Sequence, residues 1–361
     1  MCWGNEKGKT MTQSEVRVFP EPLKQFTREV FVRVGLPPED AETEATVLVW
    51  ANLRGVDSHG ILQIPFYVQE VDGGYMNPKP NIQVLKETPA TVIIEADLAF
   101  GPVVTTFAMN RAMEKARELG IGWAFIRNTS HQGAMGYYPL MAAEKNMAGI
   151  AFVCTPPGMA PYGAKVAGVD NSPIAISVPA KRHRPLILDM ATSVAAGGKI
   201  KLAIDRGVSI PEGWALDKDG NPTTNPKQVA ALLPFGGPKG SGLAIMFECL
   251  SSVMVDNPLL EPVLLGHKKK EGHQIQNSVV VAIDISKFTD IESYKEHIDN
   301  LIDGLKALPK AEGFSEILVP GEPENRTYDD RSQNGIPLPE GTIHRLRSVA
   351  ERLDIQLPSG L

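Results

Sequence analysis

The first 75 residues carry hydrophobic positions at helical spacing. Apolar side chains recur every three or four residues over 22–35, 38–54 and 61–74, and Gly or Pro separates these segments. The pattern predicts three consecutive helices and no strand. The tetrapeptide Asp57-Ser58-His59-Gly60 then lies at the junction between the second and third helices.

After residue 81, short β-rich segments alternate with amphipathic ones, which indicates α/β layering. Strands are predicted at 82–85, 91–94, 121–127, 149–154, 174–178, 186–190, 278–285 and 317–320. Helices are predicted from 101 to 116, at 134–146, through 195–203, and at 241–255, 291–308 and 341–353. We therefore expect a helical domain formed by residues 14–80 plus about 335–361 and an α/β domain formed by residues 81–334.

Composition narrows the class of protein. Apolar residues make up 43% of the 361 residues and charged residues 22%, which is typical of a soluble globular protein. The net charge of -6 argues against a nucleic-acid partner, because phosphate binding needs clustered Lys and Arg. Nothing approaches the about 20 apolar residues of a membrane span. Residues 1–13 lack the apolar core of a signal peptide, so a disordered tail is predicted there.

Cysteine usage bears on the compartment. Cys154 and Cys249 lie in apolar runs, without the paired spacing of a zinc site or a disulfide framework. We expect both to be small buried side chains in a cytoplasmic, reducing environment. The seven histidines show no metal-ligand spacing, and no G-x-S-x-G elbow is present. Neither a metal site nor a serine triad is therefore expected.

Asp57-Ser58-His59-Gly60 is the first candidate for chemistry. It places a histidine beside two hydrogen-bonding side chains at a helix start, and the glycine lets a ligand approach the backbone. Histidine suits general acid catalysis because its ordinary pKa lies near neutrality. A helix cap beside a surface histidine explains the same four residues.

Three other segments join a strand or turn to a helix: 130–133, 188–193 and 235–242. Such junctions collect ligands in α/β proteins, and their backbone amides suit phosphate. The segment 235–242 is the richest in glycine and carries Lys239, but it matches neither a Walker loop nor a G-x-G-x-x-G fingerprint. Taken singly, each segment is also explained as a polar turn or a cap, and the same holds for 321–324.

Taken together, the motifs resemble the type-2 malate/L-lactate dehydrogenase family. The resemblance runs from about Leu23 to Pro339. It is carried, in order, by Arg54-Gly55-Val56-Asp57-Ser58-His59-Gly60, Tyr67, Ser130-His131-x-Gly133, Asn171-Ser172-Pro173-Ile174-Ala175, Asp189-Met190-Ala191-Thr192-Ser193, Lys239-Gly240-Ser241-Gly242-Leu243-Ala244, Ala282-Ile283-Asp284 and Pro320-Gly321-Glu322. Several blocks in the right order are far more specific than any one of them.

The resemblance implies a non-Rossmann nicotinamide-binding domain of the L-sulfolactate dehydrogenase-like type and a helical domain built from the N- and C-terminal segments. It also implies a homodimer that uses NAD or NADP, with the active site between the domains. The reaction implied is hydride transfer between NAD(P)H and a small 2-oxo acid. No nucleic-acid, membrane or metal partner is expected.

The family's site residues carry over to matching positions of this sequence. The resemblance implies His59, assisted by Ser58, as the proton donor, with His131 as the other candidate. It implies the following cofactor-binding residues: His131, Gln132, Gly133, Ala134, Met135, Asp189, Met190, Ala191, Pro238, Lys239, Gly321, Glu322 and Pro323. It implies the following substrate-binding residues: Gln63, Tyr67, Asn171 and Lys199.

One departure from the family pattern affects the substrate. The family usually has an arginine four residues after the first histidine, and this chain has Gln63. A neutral amide cannot form the charged bidentate pair that an arginine makes with a carboxylate. Either another cation, Lys165 or Lys199, binds the carboxylate, or the substrate differs. The cyclic-imine reductases of the family tend to carry an acid near this position, so Lys199 favours a 2-hydroxy-acid dehydrogenase over the alternative. That alternative is a ketimine reductase acting on Δ1-piperideine-2-carboxylate or Δ1-pyrroline-2-carboxylate. A non-catalytic nucleotide-binding protein with the same fold is the rival of another class.

Overall fold

The computed structural model describes residues 16–267 and 275–361, so the tail predicted at 1–13 lies outside the described residues. The strands are β1 (Val16–Val18), β2 (Gln83–Glu87), β3 (Thr91–Glu95), β4 (Ile121–Thr129), β5 (Met147–Cys154), β6 (Ile174–Val178), β7 (Leu186–Met190), β8 (Ala215–Leu216), β9 (Ala231–Leu232), β10 (Gln276–Asp284) and β11 (Ile336–Leu338). The α-helices are α1 (Pro20–Arg33), α2 (Pro38–Leu53), α3 (Ile64–Asp72), α4 (Gly101–Leu119), α5 (Tyr137–Ala143), α6 (Gly197–Arg206), α7 (Pro238–Leu250), α8 (Glu261–Leu264), α9 (Ile291–Lys306), α10 (Glu322–Asn334) and α11 (Glu340–Leu353).

The described chain forms two compact units. The helical unit comprises residues 16–74 and 323–361, and the sheet unit comprises the described residues of 75–322. No helix in the described ranges is long and apolar enough to cross a membrane.

Prolines begin the first two helices of the helical unit, where a missing N–H costs nothing. The predicted amphipathic faces are buried, with Leu23, Val30 and Leu48 fully inside. Helix α11 packs against α1 and α3, as its apolar stripe predicts. The absence of any strand here was a wrong expectation, because β1 pairs antiparallel with β11. A three-residue strand has no signal of its own and is stabilised by this distant pairing.

The C-terminal segment differs further from its prediction. Residues 317–320, predicted as a strand, are irregular, and α10 begins immediately after them. Helix α10 is polar throughout and has no buried residue. It therefore lacks the hydrophobic periodicity by which helices are recognised.

The sheet unit contains a seven-stranded sheet in the order β2-β3-β4-β10-β5-β6-β7. All neighbours are antiparallel except β3 and β4. Alternation of strands and helices usually accompanies a parallel sheet. Here the seven predicted strands other than 317–320 are present. The sheet is mixed, because one pair of neighbours is parallel and the others are antiparallel.

Two hydrophobic clusters lie on the sheet. One includes buried residues of α4 and α5, such as Ala108, Met109 and Tyr138. The other is rich in aromatic residues, and the Phe152 and Phe247 rings stack in it with centroids 4.8 Å apart. Gly122 lets β4 pack closely against α4, because a Cβ at this position would come within 1.9 Å of a carbonyl oxygen of α4.

Candidate functional site

The first candidate motif forms a tight turn in the helical unit. Asp57, Ser58 and His59 make one turn of 3-10 helix after α2. Gly60 follows in an extended conformation, and a Cβ there would lie 2.1 Å from the Asn52 side-chain oxygen. Gly60 is therefore required for space rather than for an unusual backbone angle.

Asn52 and Asp57 connect this turn to its surroundings. The Asn52 amide donates to the Asp57 carboxylate at 2.7 Å, and its oxygen accepts from the Ile61 backbone N–H at 2.8 Å. Arg331 on α10 binds both carboxylate oxygens of Asp57, at 2.6 and 3.0 Å. A second turn of 3-10 helix follows at Ile61–Gln63. The alternative of a simple helix cap is not met, because neither 3-10 turn has a side-chain cap.

Ser58 and His59 are hydrogen-bonded to each other. The Ser58 hydroxyl lies 2.8 Å from Nδ1 of His59. The Gln63 side-chain amide donates to the Ser58 carbonyl oxygen at 2.6 Å. Gln63 thus stabilises the turn that carries His59. Both side chains of the predicted proton-donor pair are half-buried.

The second histidine motif is an extended loop in the sheet unit. Helix α5 begins at Tyr137, three residues later than predicted, and 130–136 form a loop after β4. The Ser130 hydroxyl donates to the Ala99 carbonyl at 2.8 Å. His131 Nδ1 accepts from the Gly133 backbone N–H at 3.3 Å, which places the proton of a neutral ring on Nε2. Gly133 has a left-handed φ of 68°.

Three predicted cofactor segments of the sheet unit meet at β7. The Asp189 carboxylate accepts from the Gly136 backbone N–H at 2.7 Å, which links the end of β7 to the loop of His131. Gly321 has φ 86°, and a Cβ there would lie 3.1 Å from the Ile187 carbonyl oxygen. The structure therefore brings 131–136, 187–190 and 320–321 together.

Thr192 joins two more of the predicted segments to this group. Its N–H donates to the Asn171 carbonyl at 2.8 Å, and its own carbonyl accepts from Phe235 at 2.9 Å. A Cβ on Gly240 would lie 2.3 Å from that carbonyl oxygen. The Thr192 hydroxyl is buried and has no hydrogen-bond partner among the described residues. The sequence places Thr192 in the Asp189–Ser193 motif, but Thr192 was not among the predicted cofactor-binding residues.

The Gly-rich segment 235–242 is a packed turn. The N–H groups of Gly237, Lys239, Gly240 and Ser241 all donate to backbone oxygens of the same turn. These four amides are committed locally, whereas the ammonium of Lys239 on the same segment is exposed and can contact an anion. Pro238 starts α7 and is exposed beside it.

The remaining cofactor candidates differ in exposure. Gln132, Ala134 and Met135 are buried, and the Gln132 oxygen accepts from Thr105 at 2.9 Å. Glu322 binds Lys306 at 2.5 Å and accepts from the Val319 N–H. The following three candidates are half-buried: Met190, Ala191 and Pro323.

The substrate candidates lie in both units. In the helical unit Tyr67 is fully buried against the Phe31 ring. In the sheet unit the Asn171 amide, with its nitrogen towards Asp170, donates to that carboxylate. Lys199 is exposed on α6, and its ammonium lies 5.8 Å from the centroid of the Trp214 ring.

The cysteine prediction is half right. Cys154 is buried, its sulfur accepts from the Ser251 hydroxyl, and burial raises the pKa of its thiol. Cys249 is exposed on α7, which contradicts the expectation that it would be buried. The apolar run around it covers both faces of α7, and only one of them packs on the sheet.

Comparison with known proteins agrees with the motifs. The model of the malate/L-lactate dehydrogenase family matches residues 18–347. L-sulfolactate dehydrogenase from Methanocaldococcus jannaschii is 38% identical over 340 residues, which cover 94% of this chain and 97% of that protein. Malate dehydrogenase from Pyrococcus horikoshii is 36% identical over 361 residues, covering 97% and 99%.

The fold agrees as well. The crystal structure of malate dehydrogenase from Entamoeba histolytica superimposes with a TM-score of 0.91 at 28% identity, covering 96% of this chain and 100% of that one. The family match spans both histidine motifs and all the glycine-containing segments described above. The chain therefore belongs to the malate/L-lactate dehydrogenase family of NAD(P)-dependent 2-hydroxy-acid dehydrogenases.

Proposed function

We propose that the protein interconverts a small 2-hydroxy acid and its 2-oxo acid, with His59 as the proton donor and acceptor. The observation that supports this best is the Ser58–His59 hydrogen bond of 2.8 Å on a turn that Asn52 and Arg331 hold. A general acid needs a defined orientation as well as a suitable side chain.

Ser58 determines which ring nitrogen of His59 reacts. Its hydroxyl occupies Nδ1, so the transferred proton is assigned to Nε2. In reduction, Nε2–H of the imidazolium gives its proton to the carbonyl oxygen while hydride adds to the carbonyl carbon. In oxidation, neutral Nε2 removes the hydroxyl proton as hydride leaves the same carbon. His131 is assigned to the nicotinamide pocket, because its loop is joined to the cofactor candidate Asp189 through the Gly136 N–H.

The sheet unit offers a set of groups that fits a dinucleotide. The buried Thr192 hydroxyl lacks a partner among the described residues, Gly321 lets its backbone approach Ile187 of β7 closely, and the Lys239 ammonium is exposed. A hydroxyl, a close backbone approach and a cation are the contacts that ribose and pyrophosphate use. When bound, the nicotinamide ring supplies or accepts the hydride.

Lys199 is proposed to bind the substrate carboxylate in place of the missing arginine. The Gln63 amide already donates to Ser58, so it is ill suited to recognise an anion. Lys199 is exposed, and its amino group stands on a flexible stem. Lys199 would bind this carboxylate in a 2-oxo acid, which reacts at C=O, and equally in a cyclic imine carboxylate, which reacts at C=N.

We also propose that two copies associate through α7. The following apolar side chains of this helix and the turn after it are 38 to 59% exposed: Leu243, Ile245, Met246, Leu250, Val253 and Met254. Apolar surface concentrated on one helix marks an interface. Met246→Glu is expected to yield monomers in light scattering, while Leu119→Glu, which is similarly exposed on α4, remains dimeric. Dimeric Met246→Glu or a monomeric wild type contradicts this assignment.

A substrate panel tests the reaction. The purified protein is assayed with NADH and NADPH against pyruvate, oxaloacetate, sulfopyruvate and Δ1-piperideine-2-carboxylate. Oxidation of the reduced cofactor by a 2-oxo acid is expected. Oxidation by the cyclic imine alone supports the ketimine reductase and contradicts the proposal.

His59→Gln tests the proton donor. The variant is expected to lose about 10²- to 10⁴-fold in kcat, the usual contribution of general acid catalysis, and to keep its affinity for the cofactor. His344→Gln is the matched control, since His344 is exposed on α11 of the same unit. Unchanged turnover in His59→Gln removes His59 from the mechanism.

A further inference from the structure

Arg331 and Asn52 bind the residues that flank Ser58 and His59, although neither belongs to the motif. The Arg331 guanidinium contacts both carboxylate oxygens of Asp57 and also donates to the backbone carbonyl of Asn52. The Asn52 side chain in turn bridges Asp57 and the Ile61 backbone N–H. The two ends of the turn are thus fixed by one connected set of hydrogen bonds.

The Arg331–Asp57 pair has the geometry of a directional contact. Two parallel N–H···O bonds define the plane of the carboxylate as well as its distance. The Arg331 side chain is only 12% exposed, whereas that of Asp57 is 46% exposed. The pair is therefore partly screened, and its main effect is on orientation rather than on stability.

Helix α10 makes two more contacts with the same segment. Asn325 accepts from the Arg54 guanidinium at 2.7 Å, and a Cβ on Gly55 would lie 3.1 Å from the Thr327 methyl group. Because α10 has no buried residue, hydrophobic burial does not account for its position. Its contacts with residues 52–57 help to hold it in place.

We propose that Arg331 is a positioning residue for proton transfer. Together with Asn52 it holds Asp57, and so sets the orientation of Ser58 and His59. Arg331 acts through Asp57 and is assigned no contact with substrate or cofactor. The inference rests on the proposed role of His59.

Arg331→Met should separate turnover from binding. It removes the guanidinium but keeps a long apolar stem of similar length. A displacement of about 1 Å at a reacting group can cost about 10²-fold in rate, so kcat is expected to fall about 10- to 100-fold. The KM and Kd for the cofactor are expected to change less than about twofold, because the cofactor contacts proposed above for Thr192, Lys239 and Gly321 lie in the sheet unit.

Two further variants distinguish positioning from general destabilisation. Arg331→Lys keeps the charge without the planar fork and is expected to recover part of the lost kcat. The double variant Asp57→Asn/Arg331→Met should be no slower than Arg331→Met alone, because both changes remove the same contact. Circular dichroism and thermal unfolding establish that each variant is folded under the assay conditions.

Arg352→Met is the matched control. Arg352 binds Asp72 at 2.6 Å in the same unit, with both side chains about half exposed, and this pair lies outside the turn. Its kcat is expected to equal that of the wild type.

The outcomes separate the two proposals. If His59→Gln is inactive while Arg331→Met retains kcat within about twofold, the positioning role is wrong and the function stands. The positioning role is also wrong if the effects of Asp57→Asn and Arg331→Met multiply, or if lost activity equals the unfolded fraction. If His59→Gln keeps full turnover, the proposed function itself fails.

Discussion

Replacing Glu44 by glutamine is expected to stabilise the protein at neutral pH but not at acid pH. Glu44 lies in α2 and is fully buried, and neither of its carboxyl oxygens has a hydrogen-bond partner among the described residues. Burial raises the pKa of the Glu44 carboxyl well above its usual value, because the low-dielectric interior disfavours the charged form. The folded protein therefore keeps this group protonated at pH values where the unfolded chain has lost the proton.

The size of the effect follows from that difference in proton binding. Below the unfolded-state pKa of about 4.3, both states are protonated and ionisation costs nothing. As the pH rises above that value, the unfolded chain ionises and gains stability. The free energy of unfolding then falls by about 1.4 kcal/mol per pH unit until the folded-state pKa of Glu44 is reached. Glutamine at this position does not titrate, so the variant lacks this slope.

Urea unfolding followed by circular dichroism at several pH values between about 5 and 7 measures the slope. The matched control is Glu42→Gln in the same helix. Glu42 is 46% exposed and pairs with Lys24, and such a surface pair contributes about 1 kcal/mol at most. Parallel stability curves for the wild type and Glu44→Gln across this range would refute the assignment of a neutral buried carboxyl.

Gly60→Ala is expected to lower kcat at least about tenfold, because its Cβ would lie 2.1 Å from the Asn52 oxygen and move the turn of His59; steady-state kinetics test this. Gly321→Ala should weaken cofactor binding in fluorescence titrations, whereas Gly313→Ala, with an equally left-handed φ but open space around it, should not. Thr192→Val should stabilise the cofactor-free protein by about 1 kcal/mol in thermal unfolding, because it removes an unsatisfied buried hydroxyl, and should raise the cofactor Kd. An unchanged Kd in Gly321→Ala or Thr192→Val would argue against the proposed cofactor contacts.

Elements with a strong hydrophobic period could be predicted from the sequence. Strands β6 and β7 have the predicted bounds, and helices α1 and α11 follow their patterns closely, because each helix buries the face that its sequence makes apolar. Helix α10 could not be predicted in this way. Its sequence is polar throughout, and contacts such as Arg331 with Asp57 hold it in place.

The candidate site divides along the same line. The sequence indicates Ser58, His59 and the glycine-containing segments, since these blocks occur together in the order of the family's motifs. It does not indicate Asn52 or Arg331, because an asparagine at the end of one helix and an arginine 279 residues later carry no local signal of contact. Their role depends on how close they lie to Asp57 in the folded protein, and the order of residues along the chain does not show this.

By itself, the sequence determined the helices and strands that have a clear hydrophobic period, the family and the residue types of the chemistry, because these depend on local periodicity and on motifs in order. The tertiary structure alone decided the strand order of the mixed sheet, the convergence of 131–136, 187–190 and 320–321, and the set of bonds around Asp57. The physical reason is that hydrogen bonds and close packing act over a few ångströms between groups far apart in the chain. The turn of His59 is recognisable as a motif, but what orients it lies on a helix that the hydrophobic pattern does not predict.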